Sequence, residues 1–262
     1  MNFTRRHLLH SLAAGCLACV FLPAHADVLD NIKKTGVLRV AVPQDFPPFG
    51  SVGTDLKPRG YDIDTAALLA KDLGVRLELI PVTSTNRIPY LTTGKADLVI
   101  SSLGKNPDRE KVIDFSITYA PFFNGVFGPT EAVIKGAPDL AGKTIGVTRG
   151  AVEDLELTKI VPANTTIKRF EDNNSTISAY LSGQVNLVAT GNVVAAAVNE
   201  MTKLRRLDPK FLIKNSPCSI GVAKGESALL AKVNESIAAA KKDGRLNEIS
   251  HRWLHNPLPK DL

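Results

Sequence analysis

Leu91-Thr-Thr-Gly-Lys-Ala-Asp-Leu-Val-Ile-Ser101 and Leu181-Ser-Gly-Gln-Val-Asn-Leu-Val-Ala-Thr190 repeat one local plan at two distant places in the chain. Each reads as a helix end, a glycine, a basic or amide residue, an Asp or Asn, and then an apolar run. The first copy carries one additional residue before its glycine. A glycine closing a helical pattern suits a left-handed C-cap. The apolar run behind it suits a strand covered on both faces. Two such units imply two lobes of similar plan, each turning a strand end toward a shared cleft.

The flanking sequence extends both units. Leu38 to Val42 reads as a strand, Tyr61 to Leu73 as a helix ended by Gly74, Arg76 to Val82 as a strand, and Asn86 to Thr92 as a short helix. The pattern restarts with a strand over Lys143 to Thr148 and a helix from about Ala151. Strands at Ile167 to Phe170 and Val185 to Ala189 enclose a helix at Ser175 to Leu181, and Asn192 to Met201 reads as a further helix. Such alternation predicts an α/β fold of two lobes, each a mostly parallel sheet flanked by helices. Ser219 to Ala223 then reads as a strand, followed by helices over Ser227 to Lys242 and Leu246 to His255. The turn-forming Ala120-Pro121 and Ser216-Pro217 are the expected crossings between lobes. Residues 27–121 and 217–262 would form one lobe and 122–216 the other, joined as a hinge.

The first 26 residues carry Arg5, Arg6 and His7, a mostly apolar run from Leu8 to Leu22, and Pro23-Ala24-His25-Ala26. That order is expected of an export signal cleaved after Ala26, with a run too short to span a bilayer. Thr4-Arg5-Arg6-His7-Leu8-Leu9 leaves a twin-arginine variant open, and Ala13-Ala14-Gly15-Cys16 a lipoprotein variant. Without this segment the chain keeps 30 basic and 26 acidic side chains, about +4. No basic run of nucleic-acid type remains. Cys218 is then the only cysteine, so no internal disulfide can form, and it is expected as a small core residue. His251 and His255 share a helical spacing but lack an evident third metal ligand, so a surface helix is expected there and no cofactor.

The stretch Ser101-Ser-Leu-Gly-Lys-Asn-Pro-Asp-Arg-Glu110 carries the chemistry. It leaves a buried strand and enters a helix with Asn106 as N-cap and Pro107 at the first position. Unpaired N–H groups and partial positive charge at a helix start attract anions. Arg109 would add a fork suited to a carboxylate, or would only pair with Asp108 or Glu110 at the surface. Thr148-Arg-Gly-Ala-Val152 is a second candidate anion site, where Gly150 lets backbone approach a ligand.

Pro47-Pro48-Phe49, Gly60-Tyr-Asp-Ile-Asp64, Asn86-Arg-Ile-Pro-Tyr-Leu91, Asp97-Leu-Val-Ile-Ser-Ser102, Arg109-Glu-Lys111 and Asp114-Phe-Ser116 together resemble the bacterial extracellular solute-binding proteins of family 3. These are periplasmic proteins that bind polar amino acids for ABC transporters. Val82-Thr-Ser-Thr-Asn-Arg-Ile-Pro89 and Trp253-Leu-His-Asn-Pro-Leu-Pro259 look closest to the glutamate/aspartate-binding branch. The resemblance implies a type II periplasmic-binding-protein fold. It also implies a monomer, a small carboxylate-bearing ligand and an inner-membrane permease as partner. It places Arg109 on the ligand α-carboxylate with Ser102 and the backbone of Ala151 and Val152, and Ser101 in the same ligand-binding segment. Phe46 would lie against the ligand side chain, Ser84 would replace an opposite aromatic wall, and Arg87 would hold a side-chain carboxylate. Gly104 and Asn192 fall in the same ligand-binding segments.

Three departures accompany the resemblance. Gly104 stands where the family usually has a Ser or Thr that meets the α-ammonium. Gly191 stands where it usually has an Asp, and Pro43 where the acidic-ligand branch has an arginine. An ammonium buried without its carboxylate costs about 3–5 kcal/mol. Either Asp45, Glu153 or Asp154 takes over, or the ligand is a carboxylate or dicarboxylate lacking an α-amino group. The same fold also serves dehydratases of the cyclohexadienyl type, for which Glu153 and Asp154 are the nearest acids.

Overall fold

The computed structural model describes residues 27–262; the expected export signal lies outside the described residues. The chain opens with α1 (Val28–Thr35), capped by the Asp27 side chain, and runs into β1 (Val37–Val42). Three short strands, β2 (Asp45–Phe46), β3 (Gly50–Val52) and β4 (Pro58–Arg59), make a small antiparallel ribbon. Then come α2 (Tyr61–Leu73), β5 (Arg76–Pro81), α3 (Arg87–Thr92), β6 (Leu98–Val99), α4 (Pro107–Val112) and β7 (Ile113–Ala120). A second set follows: β8 (Phe123–Gly128), β9 (Thr144–Thr148), α5 (Val152–Ile160), β10 (Thr166–Phe170), α6 (Asn173–Leu181), β11 (Leu187–Gly191), α7 (Asn192–Met201) and β12 (Asp208–Asn215). The chain finishes with β13 (Cys218–Ala223), α8 (Ser227–Asp243) and α9 (Arg245–Leu254).

Two five-stranded sheets result, in the orders β5-β1-β6-β13-β7 and β10-β9-β11-β8-β12. The plans correspond strand for strand, as the repeated sequence units imply. In each, the strand after the repeated glycine lies parallel to the first strand of its sheet: β6 to β1, and β11 to β9. Each sheet is mostly parallel, as expected: four of its five strands run one way and a single strand is reversed, β13 in the first sheet and β8 in the second. The reversed strand makes the antiparallel pairings, β13 with β6 and β7, and β8 with β11 and β12. The reason is the route of the chain. It leaves the first sheet between Ala120 and Phe123 and returns between Asn215 and Cys218, so β8 and β13 enter from the other lobe against the direction of the βαβ strands.

Each sheet buries its own core. In lobe 1, α2, α8 and α9 cover one face of β1, β6 and β13 with Leu68, Leu69, Val233, Ile237 and Leu246. The opposite face packs on Leu91, Leu103 and Ile113. In lobe 2, separate clusters around Val147 with Leu157 and around Tyr180 with Val188 cover the two faces. Cys218 is fully buried in the first core. Among the described residues no helix is long and apolar enough to cross a membrane, and no group of three potential metal ligands gathers.

Candidate functional site

The βαβ strands end at the interlobe cleft, and the turns that follow them carry the polar groups. The first turn follows β6. Ser102 sits there at φ +42°, a left-handed conformation costly for a residue with a Cβ. It is held by Asp62 at the start of α2, which accepts from the Ser102 N–H at 2.8 Å and from the Tyr119 hydroxyl. Burial pushes the Asp62 carboxyl up to about 7. In the same loop, Asn106 Oδ1 accepts from the Arg109 N–H at 2.8 Å and Pro107 opens α4, as the residue order requires.

The facing turn follows β9. Gly150 has φ +73°, and a side chain there would meet Thr85 and the Ser84 carbonyl of the other lobe. Its N–H donates to Asp154 at 3.0 Å. The helix α5 that follows has Ala151 as N-cap, which supplies no side-chain oxygen to its first amides.

Between these turns lies a cavity with about 420 Å³ of free space, mouth included. Hydrogen bonds from Arg109 to the Gly150 carbonyl and from Asn173 to Asp45 cross the cleft, so the lobes are drawn together around the cavity. Lobe 1 lines it with Pro43, Asp45, Phe46, Val82, Ser84, Arg87, Ser101 and Ser102, and lobe 2 with Asn124, Ala151, Val152, Glu153 and Asn173. The crossings contribute Phe122 and Ser216.

Seven of the ten candidate residues therefore share this cavity: Phe46, Ser84, Arg87, Ser101, Ser102, Ala151 and Val152. Gly104, Arg109 and Asn192 are not on its wall. Gly104 bridges Cys218, and Asn192 accepts from the Phe123 N–H at 3.2 Å beside a separate surface groove. Arg109 is buried and does not pair with Asp108 or Glu110. Its Nη1 donates to the Gly104 carbonyl at 2.8 Å and its Nη2 to the Gly150 carbonyl of the other lobe at 2.9 Å. Asp108 instead pairs with Lys111 at the surface.

Arg87 is 4% exposed. Its Nη1 donates to the Ser101 carbonyl at 2.7 Å and its Nε to the Ser84 carbonyl at 3.3 Å, leaving Nη2 free among the described residues. Burial lowers the pKa of Arg87 and of Arg109, the latter also through the neighbouring Arg87 charge. Both guanidinium groups still carry their charge at neutral pH.

The three open candidates for an acid resolve differently. Asp154 is spent on Gly150 and on Arg169 Nε at 2.8 Å. Asp45 reaches across the cleft, where Oδ2 accepts from the Asn173 N–H at 2.7 Å and from Nδ2 at 3.2 Å. Burial raises Asp45. Glu153 lines the cavity at 3% exposure and receives only its own backbone N–H. Burial pushes its carboxyl up to about 7, against the opposing pull of Arg87 and Arg109.

Residue patterns did not point to Asn124, Phe122 or Ser216. Asn124 is fully buried with both side-chain polar atoms unpartnered, and the Ser216 hydroxyl is likewise unpartnered. Their one signal in the sequence is position, since each sits at a crossing.

A match to the bacterial extracellular solute-binding proteins, family 3, spans residues 38–256. The L-cystine-binding protein TcyJ of Escherichia coli K12 is 27% identical over 98% of this chain and 97% of its own length. The crystal structure of the solute receptor for L-cysteine of Neisseria gonorrhoeae has a TM-score of 0.82 at 32% identity, covering 86% of this chain and 93% of that one. An ancestral amino acid-binding protein, AncCDT-1, described as a precursor of cyclohexadienyl dehydratase, has a TM-score of 0.79 at 31% identity over 87% and 99%. The likeness is thus to several binding specificities, of which the glutamate/aspartate branch is one. Matched over most of its length and built on the same two-lobed plan, this chain belongs to the bacterial extracellular solute-binding proteins, family 3.

Proposed function

We propose that this protein is the periplasmic binding component of an ABC importer, and that its lobes close over an amino acid held by its carboxylate. The observation that carries this reading is the cavity itself. Arg87 from lobe 1 and the start of α5 from lobe 2, whose N-cap Ala151 offers no side-chain oxygen, line one cavity. A carboxylate there receives charge-assisted hydrogen bonds from both sides, so binding favours the closed state. Arg109 takes part by exchange, because a carboxylate is a better acceptor for its fork than the Gly150 carbonyl it now holds.

Phe46 and Phe122 form the apolar wall, their ring centroids 5.9 Å apart. Ser84, Ser101 and Ser102 add polar residues to the cavity wall. The cavity suits a small polar or acidic side chain. A domain-closing protein of this kind delivers its solute to an inner-membrane permease.

A thermal-shift screen tests the reading. L-cysteine, L-cystine, L-glutamate, L-aspartate and L-glutamine would be compared with sugars and inorganic anions. Stabilisation by at least one amino acid and by none of the controls is expected; the reverse pattern would remove the assignment.

Glu153 supports one second reading. A buried carboxyl that keeps its proton up to about pH 7 is what a general acid in an elimination needs. Turnover of prephenate or arogenate by the purified protein would favour that reading over transport.

A further inference from the structure

We propose that Glu153, Ser216 and Asn124 form a subsite for a cationic nitrogen, and that the ligand's ammonium group occupies it. This rests on the amino-acid reading above and assigns the half of the ligand that the arginines cannot hold.

The chemistry begins with Glu153. Of the two acids lining the cavity, Asp45 already receives both Asn173 donors, whereas Glu153 receives nothing from another residue. The charged groups around it are Arg87 from α3, Arg109 from α4 and Asp154 on its own helix. No cation lies within ion-pair distance of it among the described residues. A carboxylate buried without a partner is costly, and a cation arriving with the ligand removes that cost.

Geometry adds the other two groups. The Ser216 hydroxyl lies 2.1 Å from where a Cβ on Gly104 would stand, and that point is 3.0 Å from the Val152 side chain. Ser216 therefore fills the space a residue-104 side chain would take, on the wall of the same cavity that Glu153 lines. Asn124 is paired with Gly191 across β8 and β11. Opposed residues in such a pair project to the same face, so the Asn124 carboxamide stands on the side where position 191 has no side chain. At 191 itself a Cβ would collide with the Phe122 ring at 2.1 Å. The Asn124 oxygen and the Ser216 hydroxyl are buried and unpartnered, and both residues line the cavity. Two neutral acceptors and one carboxylate are the complement of an ammonium's three N–H donors.

The test compares amino acids with their des-amino partners: L-glutamate with glutarate, and L-cysteine with 3-mercaptopropionate. Affinities are measured by titration calorimetry on wild type, Glu153→Gln, Ser216→Ala and Asn124→Ala. The wild type should hold an amino acid more tightly than its partner. Glu153→Gln should weaken the amino acid at least ~100-fold and leave the des-amino ligand unchanged or tighter. Ser216→Ala and Asn124→Ala should each weaken the amino acid by about tenfold. If Glu153→Gln does not fold, those two variants carry the comparison alone. An amino acid held equally by wild type and Glu153→Gln overturns the subsite and leaves the amino-acid reading standing. A wild type that takes only the des-amino ligands, or none of the four, overturns that reading and the subsite with it.

Discussion

Arg109 on α4 and Gly150 on the turn before α5 are joined across the cleft by a single hydrogen bond, Nη2 to carbonyl oxygen at 2.9 Å. The other end of the same fork holds the Gly104 carbonyl at 2.8 Å, so one side chain ties the turn of its own lobe to the turn of the other. Arg109→Ala removes the tie and the charge together. Ligand-induced thermal stabilisation is expected to disappear, with affinity down roughly 10- to 100-fold, the range for a hydrogen bond to a charged group. Arg109→Lys should recover little, because an ammonium cannot hold two carbonyls in fork geometry. A wild-type shift in Arg109→Ala would refute the exchange role given to this residue.

Asp45 and Asn173 make a second interlobe tie, with both Asn173 donors on one carboxylate oxygen. The donor, Asn173, opens α6, whose cap is Asp172, so the helix start also favours the negative charge. Asp45→Ala should shift the lobes toward the open form. Its signatures are a larger radius of gyration in small-angle scattering of the unliganded protein and a several-fold faster ligand release. Unchanged scattering would show that this contact follows closure without favouring it.

Residue order alone made much of this architecture legible, and the reason is local chemistry. Gly74 after Tyr61–Leu73, and Asn106-Pro107 before α4, mark boundaries that depend only on capping, and both fall where expected. Strand β12 was not legible. Asp208–Asn215 carries charged and amide residues along its length and is half exposed, so it lacks the apolar run of a central strand. The ribbon strands at 45–59 are too short to show a period. In the site, Arg87, Ser101 and Ser102 follow from motifs, each placed by its own turn. Asn124, Phe122 and Ser216 reach the cavity through long-range pairing of β8 with β11 and β12, which no window of sequence records.

Glu153 gives a prediction with opposite signs for stability and binding. Its folded carboxyl titrates at about 7 against an ordinary value of 4.5. Between those values the folded chain holds a proton that the unfolded chain releases, so this group's contribution to stability falls as pH rises through that window. The full effect is on the order of 3 kcal/mol. Glu153→Gln should therefore melt higher than wild type at pH 8 without ligand, and the gap should close by pH 5. The same substitution should abolish tight amino-acid binding. A residue that weakens the empty protein and is required by the ligand is the expected pattern for a binding group. A variant less stable than wild type at pH 8 would show that Glu153 serves the fold.

Phe122 and Gly191 test whether the cavity can be refitted with a carboxylate at position 191. A Cβ at 191 would stand 2.1 Å from the ring tip and 2.6 Å from the next ring carbon, so one of the two residues must move. The ring cannot yield freely, because it packs on Phe46 and Phe49 with centroids 5.9 and 5.4 Å away. Gly191→Asp should then destabilise by about 1–3 kcal/mol through overpacking, read as a drop of roughly 2–4 °C in Tm per kcal/mol for a chain of this size. Phe122→Ala should cost about 3–5 kcal/mol by leaving a cavity in the aromatic cluster. The double variant should cost less than the two together, since the ring that blocks the new side chain is gone and the new side chain occupies part of the hole. A coupling of about 1 kcal/mol or more is expected. The double variant should also regain amino-acid affinity in a Glu153→Gln background, because a carboxylate then stands again beside Asn124. Strict additivity of the two costs would show that Phe122 and position 191 do not compete for the same space.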